Sequence, residues 1–466
     1  MGRRLRRALF WLLLLLSILL AAAVSFVAIY IAPTGTGYVA KLMCSGVFVT
    51  GLEPERVKQE DLRPQWFVSH SVDHEARTVS STLVGMGART AVYREGLGCT
   101  LAIDESVEEL RAAAPKPAPR PPASELPWPK GGGEIGALPA GVDQDKLNAA
   151  LDYIFEEVDP ERPLWTRGVA VAHRGALIGE RYAPGVTKDT PLLGWSMTKS
   201  VTATFVGLLV LDGALDVKAP AAVPDWSGDG RSAITLDQLL RMSSGLEFAE
   251  VYGPLSDATA MLFESHDTVA LPMAKPLQHE PDTVWSYSSG TSNIISWIVR
   301  RAVEQREGSW EAYATFPRRR LFDPLGMRSA VIEPDTGGTF VGSSFMYASA
   351  RDWARFGQLH LQDGVWEGQR LLPEGWVEYV SAATKGAPKG EYGAHWWTNA
   401  GAPADVADRR FPSLPTDTFQ ASGFQGQAVV VIPSRELVVV RLGMTHDRSI
   451  YDLDGFVARV LEALPE

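Results

Sequence analysis

Residues 194–200 read Gly194-Trp195-Ser196-Met197-Thr198-Lys199-Ser200. A turn rich in Pro, Gly and Asp precedes them, and an apolar run over 201–211 follows. That run has the length and composition of a buried helix. Ser196 then falls at its first turn, with Lys199 three residues on along the same face. A hydroxyl and an amine one turn apart make a nucleophile and a base. The free N–H groups of a helix N-terminus favour negative charge developing there. An amine turned into an apolar interior loses the water that stabilises its charge, so its pKa drops from about 10.4 toward neutrality. The same spacing also fits a serine helix cap followed by a solvated lysine, so the decision falls to the surrounding chain.

Around this stretch, 140–466 reads as one domain. Residues 147–158 form an amphipathic helical pattern. Runs 168–173 and 176–182, split by Arg174-Gly175, read as a hairpin. Near the end, 427–432 and 436–442 flank Pro433-Ser434-Arg435 as a second hairpin, and a closing helix covers 450–463. Residues 213–375 read as helix and loop. Strands from both ends around a helical insert predict an α/β (α+β) domain: a sheet flanked by helices, an inserted helical lobe, and a cleft between them.

Four arginines (Arg3, Arg4, Arg6, Arg7) stand in 1–7, ahead of an apolar run over 8–32. At about 1.5 Å per residue this run is long enough to cross a bilayer. The arginines place 1–7 as a cytoplasmic basic tail and the rest outside. The competing reading is a cleaved signal peptide, whose apolar core is only ~7–15 residues. The longer run, ending Ala28-Ile29-Tyr30-Ile31-Ala32-Pro33, favours an uncleaved signal-anchor helix.

Residues 36–108 read as a small β-rich collar without chemistry of its own, with Val47-Phe48-Val49-Thr50 and Ala91-Val92-Tyr93 as short strands. Cys44 and Cys99, the chain's two cysteines, stand near its ends. Outside the cytoplasm a disulfide between them is expected, the alternative being two buried thiols. Residues 112–136 are Pro- and Gly-rich, an extended linker that marks the clearest domain boundary.

The chain has 466 residues, suited to two domains or one large domain with additions. A net charge of −11 argues against a nucleic-acid partner. Two cysteines exclude a disulfide-dense scaffold and a cysteine-based zinc site. His70 and His74 lie four apart with no acidic or cysteine company, so no metal site is expected.

Five segments occur in a telling order: Trp195 to Ser200; residues 234–246 (ITLDQLLRMSSGL); Trp285-Ser286-Tyr287-Ser288-Ser289-Gly290; residues 321–327 (LFDPLGM); and residues 421–427 (ASGFQGQ). Together they resemble the serine β-lactamase and penicillin-binding-protein superfamily. Within it the chain looks most like the class C β-lactamase-like branch, with its esterases and 6-aminohexanoate-oligomer hydrolases. The resemblance covers 140–466 and implies a β-lactamase/DD-peptidase-like fold with no cofactor and no metal. It implies that Ser196 attacks a carbonyl and carries an acyl group. Lys199 takes the serine proton or holds Tyr287 as a phenolate, and Tyr287, at the place of Tyr-x-Asn, relays protons. The backbone N–H groups of Ser196 and Phe424 form the oxyanion hole, and Ser289, Ser422, Gly423 and Trp397 meet substrate. Tyr392, His395, Trp396 and His446 are further candidates to face the cleft.

Two positions depart from the superfamily pattern. Ser289 replaces the Asn of Tyr-x-Asn, and Ala421 replaces the Lys of Lys-Thr-Gly. The class A Ser-Asp-Asn set with its deacylating Glu is not visible. The expectation is a single-pass serine hydrolase of a bacterial inner membrane, its catalytic domain in the periplasm, cleaving a small-molecule ester or amide. The alternatives are a β-lactamase or D-alanyl-D-alanine peptidase, and a catalytically silent cell-wall-binding protein of the same fold.

Overall fold

Val-rich runs with a Pro-Ser-Arg turn between them pair at the C-terminal end, as β-branched residues bounded by turn chemistry should. In the computed structural model, which describes residues 2–65, 67–117, 120, 122, 124–399 and 406–465, they belong to a six-stranded antiparallel sheet. Its strands are β1 (Thr166–His173), β2 (Ala176–Tyr182), β3 (Trp397–Thr398), β4 (Phe419–Gly423), β5 (Gln427–Ile432) and β6 (Leu437–Gly443). They lie in the order β3-β4-β5-β6-β1-β2. Both predicted hairpins are present.

Helices cover both faces, so β1, β5 and β6 are buried throughout and read as near-continuous apolar runs. Val169, Val171, Val430, Ile432 and Val439 pack with helices α1 (Gln144–Phe155) and α5 (Leu453–Glu462). Ala170, Ala172, Val429, Val431, Val438 and Val440 face the opposite layer, which contains α2 (Met197–Leu211) and α4 (Ala350–Leu361). Each such valine or isoleucine contributes roughly 1.5–3 kcal/mol on burial. Gly357 lets α4 lie against the sheet, since a Cβ there would come within 2.5 Å of Val438. The helical lobe is inserted between β2 and β3 and contributes α3 (Ser289–Glu307) to the cleft. All but the last two residues of α2 are buried, as its unbroken apolar sequence requires.

Of the Pro- and Gly-rich stretch, Ala118, Pro119, Pro121 and Ala123 lie outside the described residues. Its second half is strapped to α4. The Trp128 indole N–H donates to the Arg351 carbonyl (3.1 Å), Arg351 donates to the Gly132 and Gly133 carbonyls (2.9 Å each), and Arg355 donates to the Gly131 carbonyl (2.5 Å). A segment poor in N–H donors thus has its carbonyls met by arginine.

At the N-terminus one helical segment runs over Arg3–Phe48, with a π turn at Val27–Ile31. By length and composition it is the one helix among the described residues able to cross a membrane. Its side chains are mostly exposed up to Tyr30 and mostly buried from Ala32 onward. Val47-Phe48-Val49-Thr50, expected as a strand, instead closes this helix. Packing overrides the local β preference. Glycines let the helix sit close to its neighbours: a Cβ on Gly37 would lie 2.3 Å from the Phe263 carbonyl oxygen, and one on Gly46 2.7 Å from Val57. A four-stranded antiparallel sheet, Ser69–Asp73, Thr78–Leu83, Met86–Arg94 and Gly98–Leu101, covers the helix and includes Ala91-Val92-Tyr93. Cys44 and Cys99 form a disulfide with a Cα–Cα distance of 6.0 Å.

The collar is built into the catalytic layers. Val39, Met43, Val79 and Cys99 share a core with Leu193, Trp195, Phe263 and Phe345. Beneath it Lys41 pairs with Glu333, which also accepts from the Ser45 hydroxyl (2.9 Å) and the Cys99 N–H (2.6 Å).

Candidate active site

Ser196 stands at the N-cap position of α2 without a side-chain cap bond and remains partly open to the cleft, while Lys199 is 1 % exposed. The Lys199 ammonium donates to Ser196 Oγ (3.1 Å), Ser289 Oγ (3.0 Å) and the Ser343 carbonyl (3.0 Å). Burial brings the Lys199 pKa down to about 8, with the Glu250 carboxylate pulling the other way. As a neutral amine, Lys199 keeps two N–H groups for Ser289 and Ser343 and turns its lone pair to the Ser196 hydroxyl. Trp195 precedes the serine at φ +47°, in the left-handed region that costs a non-glycine residue about 1–3 kcal/mol. It is held by its indole N–H, which donates to Gln425 Oε1 (3.1 Å), and by ring contacts with Phe345 and Phe424.

Tyr287 stands beside this pair, its ring centroid 4.9 Å from Lys199 Nζ. Its pKa moves up, not down as the phenolate reading required. Desolvation and the Glu250 charge raise it, and its hydrogen bond to Ser196 offsets only part of that. Tyr287 thus holds its proton at neutral pH, and Lys199 is the amine placed to accept one from Ser196. Gly423, at the end of β4, touches the turn before the serine: a Cβ there would lie 2.2 Å from the Gly194 carbonyl oxygen. This close approach brings the Phe424 and Ser196 backbones to one end of the cleft.

A serine and a lysine one turn apart, a tyrosine from the lobe and a sheet-edge strand thus meet at one point. The Beta-lactamase family model matches residues 161–448, more than half of the chain. The chain belongs to the beta-lactamase family. It is 26% identical over 339 residues to the 6-aminohexanoate-dimer hydrolase of Paenarthrobacter ureafaciens, covering 67% of this chain and 79% of that protein. Among solved structures it is similar in fold to a penicillin-binding-protein homologue from Caulobacter crescentus (TM-score 0.51, 17% identity, 70% of this chain and 98% of that one). It is similar likewise to a class C beta-lactamase (TM-score 0.51, 15% identity, 70% and 99%).

Within this beta-lactamase-family frame, the expected residues sit in different surroundings. Ser289, expected to meet substrate, is fully buried; its hydroxyl accepts from Lys199 and donates to Glu250 (2.6 Å), so it positions the lysine. His395 and Trp396 are interior. His395 bridges the Leu240 carbonyl (2.7 Å) and Ser292 (2.9 Å), and Trp396 stacks on Phe356. Tyr392 is also buried, against Trp285 and Trp397. Trp397 stacks on Tyr287 with centroids 5.5 Å apart, and Ser422 stays half-buried near Arg410 (3.5 Å). His446 does line the cleft, held by the Glu60 carbonyl (2.6 Å) and Gln425 (3.3 Å). Among the described residues no three His, Cys, Asp or Glu side chains gather as metal ligands.

The sequence reading missed Glu250, Tyr252 and Arg410. Glu250 accepts from the Ser289 backbone N–H (2.7 Å), the Ser289 hydroxyl and Tyr252 (2.7 Å), anchoring the start of α3. Only Glu250's place before a lobe helix hinted at this, since its partner Ser289 is 39 residues away in sequence. Arg410 lies over the Trp397 ring at 4.2 Å, the ring that stacks on Tyr287.

Proposed function

We propose that this chain is a membrane-anchored serine hydrolase that cleaves an ester or amide through an acyl-enzyme on Ser196. The observation that carries the reading is the buried Lys199 amine, 3.1 Å from Ser196 Oγ and lowered to about 8. Neutral Lys199 accepts the Ser196 proton as Oγ bonds to the carbonyl carbon. The Ser196 and Phe424 N–H groups steady the oxyanion. Tyr287, still protonated, passes its proton to the leaving group and takes up the one that Lys199 had accepted, so Lys199, neutral again, activates the deacylating water. The Arg3 to Arg7 cluster and the exposed apolar helix support an anchor with the hydrolase on the far, periplasmic side. The test is intact mass of the full chain in detergent after exposure to a fluorophosphonate. A single adduct on the parent and none on Ser196→Ala supports the reading; no adduct on the parent overturns it.

The pH profile follows from the same geometry. The reactive form is the neutral amine, so kcat/KM rises about tenfold per pH unit below the Lys199 pKa of about 8 and levels off above it. No falling limb appears near pH 9, because Tyr287 is shifted upward. Glu250→Gln removes the charge that steadies the Lys199 ammonium, so the midpoint moves to lower pH. Stopped-flow pH profiles of both proteins check this, and a Glu250→Gln midpoint that rises contradicts it.

A further inference from the structure

The cleft at Ser196 continues into a cavity of about 390 Å3, within the roughly 300–1,000 Å3 common for small-molecule sites. Its walls are drawn from separate parts of the chain. Thr34, Gly35 and Tyr38 come from the N-terminal helix, Leu83 from the collar, and Phe263 and Phe424 from the catalytic domain. No Asp, Glu, Lys or Arg is among the described lining residues. His446, which also lines it, is taken up by the Glu60 carbonyl and Gln425, so a charged acyl group gains little there, whereas an aliphatic chain gains by leaving water.

The depth of the cavity along the helix is the second observation. Ile31 lines it, and Ile31 is where the exposed apolar helix passes into the protein, Ala32 being fully buried. The third is the rim. Phe67, Tyr252 and Phe424 line the cavity yet remain 47%, 56% and 50% exposed, and Val84, beside Leu83, is 83% exposed. Apolar side chains left open around an apolar cavity mark an interaction site, and here they continue the exposed apolar surface of the helix.

We propose that the substrate is a bilayer-resident amphiphile, an ester or amide of a long aliphatic acid. Its chain enters this cavity from the leaflet while its carbonyl meets Ser196. The inference rests on the acyl-enzyme reading above. Ser196 Oγ bonds to the acyl carbon as the bond to the leaving oxygen or nitrogen breaks and that atom takes a proton. Water then supplies hydroxide to the acyl carbon and a proton to Ser196 Oγ, releasing the aliphatic acid.

The test uses the full chain in phosphatidylcholine vesicles with p-nitrophenyl esters from acetyl to dodecanoyl. The expected kcat/KM rises roughly threefold to fourfold per methylene until the cavity is full. Gly35 has ordinary space for a side chain, its Cβ position lying 3.8 Å from Val68, so Gly35→Leu fills the cavity from the helix side. That variant lowers the dodecanoyl-to-acetyl ratio at least tenfold. If Gly35→Leu does not fold, Leu83→Trp repeats the test from the collar side. A flat chain-length profile in the parent, or a ratio unmoved by a folded variant, overturns the proposal and leaves the acyl-enzyme reading standing. Absence of both ester turnover and a fluorophosphonate adduct overturns that reading and this one with it.

Discussion

Ser196→Ala lowers kcat/KM by a factor on the order of 10⁴ or more while leaving melting temperature and circular dichroism unchanged, because the oxygen it removes is partly open and makes no cap bond to the helix. Lys199→Met costs nearly as much. Its amine is the only base placed on the Ser196 hydroxyl among the described residues, at 3.1 Å, and Tyr287 is held protonated. The double variant loses little more than either single one, since groups that act in one step are not additive. Steady-state kinetics on any ester that the parent hydrolyses decide the matter. Turnover of Ser196→Ala near the parental rate, or multiplicative losses in the double variant, would sink the mechanism.

The second large effect concerns stability. Lys41→Met leaves Glu333 as a buried, uncompensated carboxylate, a change that costs about 3–5 kcal/mol. Burial already pushes the Glu333 pKa up and the Lys41 pKa down, so each depends on the other to stay charged. Adding Glu333→Gln to Lys41→Met recovers much of the loss, because the amide still accepts from Ser45 and Cys99. Thermal unfolding followed by tryptophan fluorescence in detergent, run as a double-mutant cycle, measures this; a Lys41→Met protein as stable as its parent contradicts it. The consequence reaches the site. Lys41 lies 4.1 Å over the Phe345 ring, and Phe345 packs on Trp195, the strained residue before the nucleophile. A collar loosened by Lys41→Met therefore also slows acylation of Ser196.

The clearest signals in the sequence are local. The helix of Ser196 and Lys199 was legible because an unbroken apolar run behind a turn has one economical structure, and both hairpins because their turn residues separate β-branched runs. The strand expected at Val47-Phe48-Val49-Thr50 failed for the opposite reason: the choice there lay with Gly37 and Gly46, whose neighbours Phe263 and Val57 are distant or unmarked in sequence. Glu250 and Arg410 were invisible on the same ground. Neither belongs to a motif, and each acquires meaning only from the side chains that the fold brings to it.

By itself, then, the sequence determined a serine and a lysine one turn apart on a helix, a mixed α/β domain with a helical lobe, and a two-cysteine collar behind an apolar N-terminal helix. Periodicity, turn chemistry and spacing along the chain are enough for these. Only the tertiary structure decided that Lys199 is buried against Ser196 and Ser289, that burial raises the Tyr287 pKa, and that the collar walls the cavity at Ser196. Those outcomes depend on desolvation and on which charges stand within a few ångströms of one another, and both are properties of packing rather than of order in the chain.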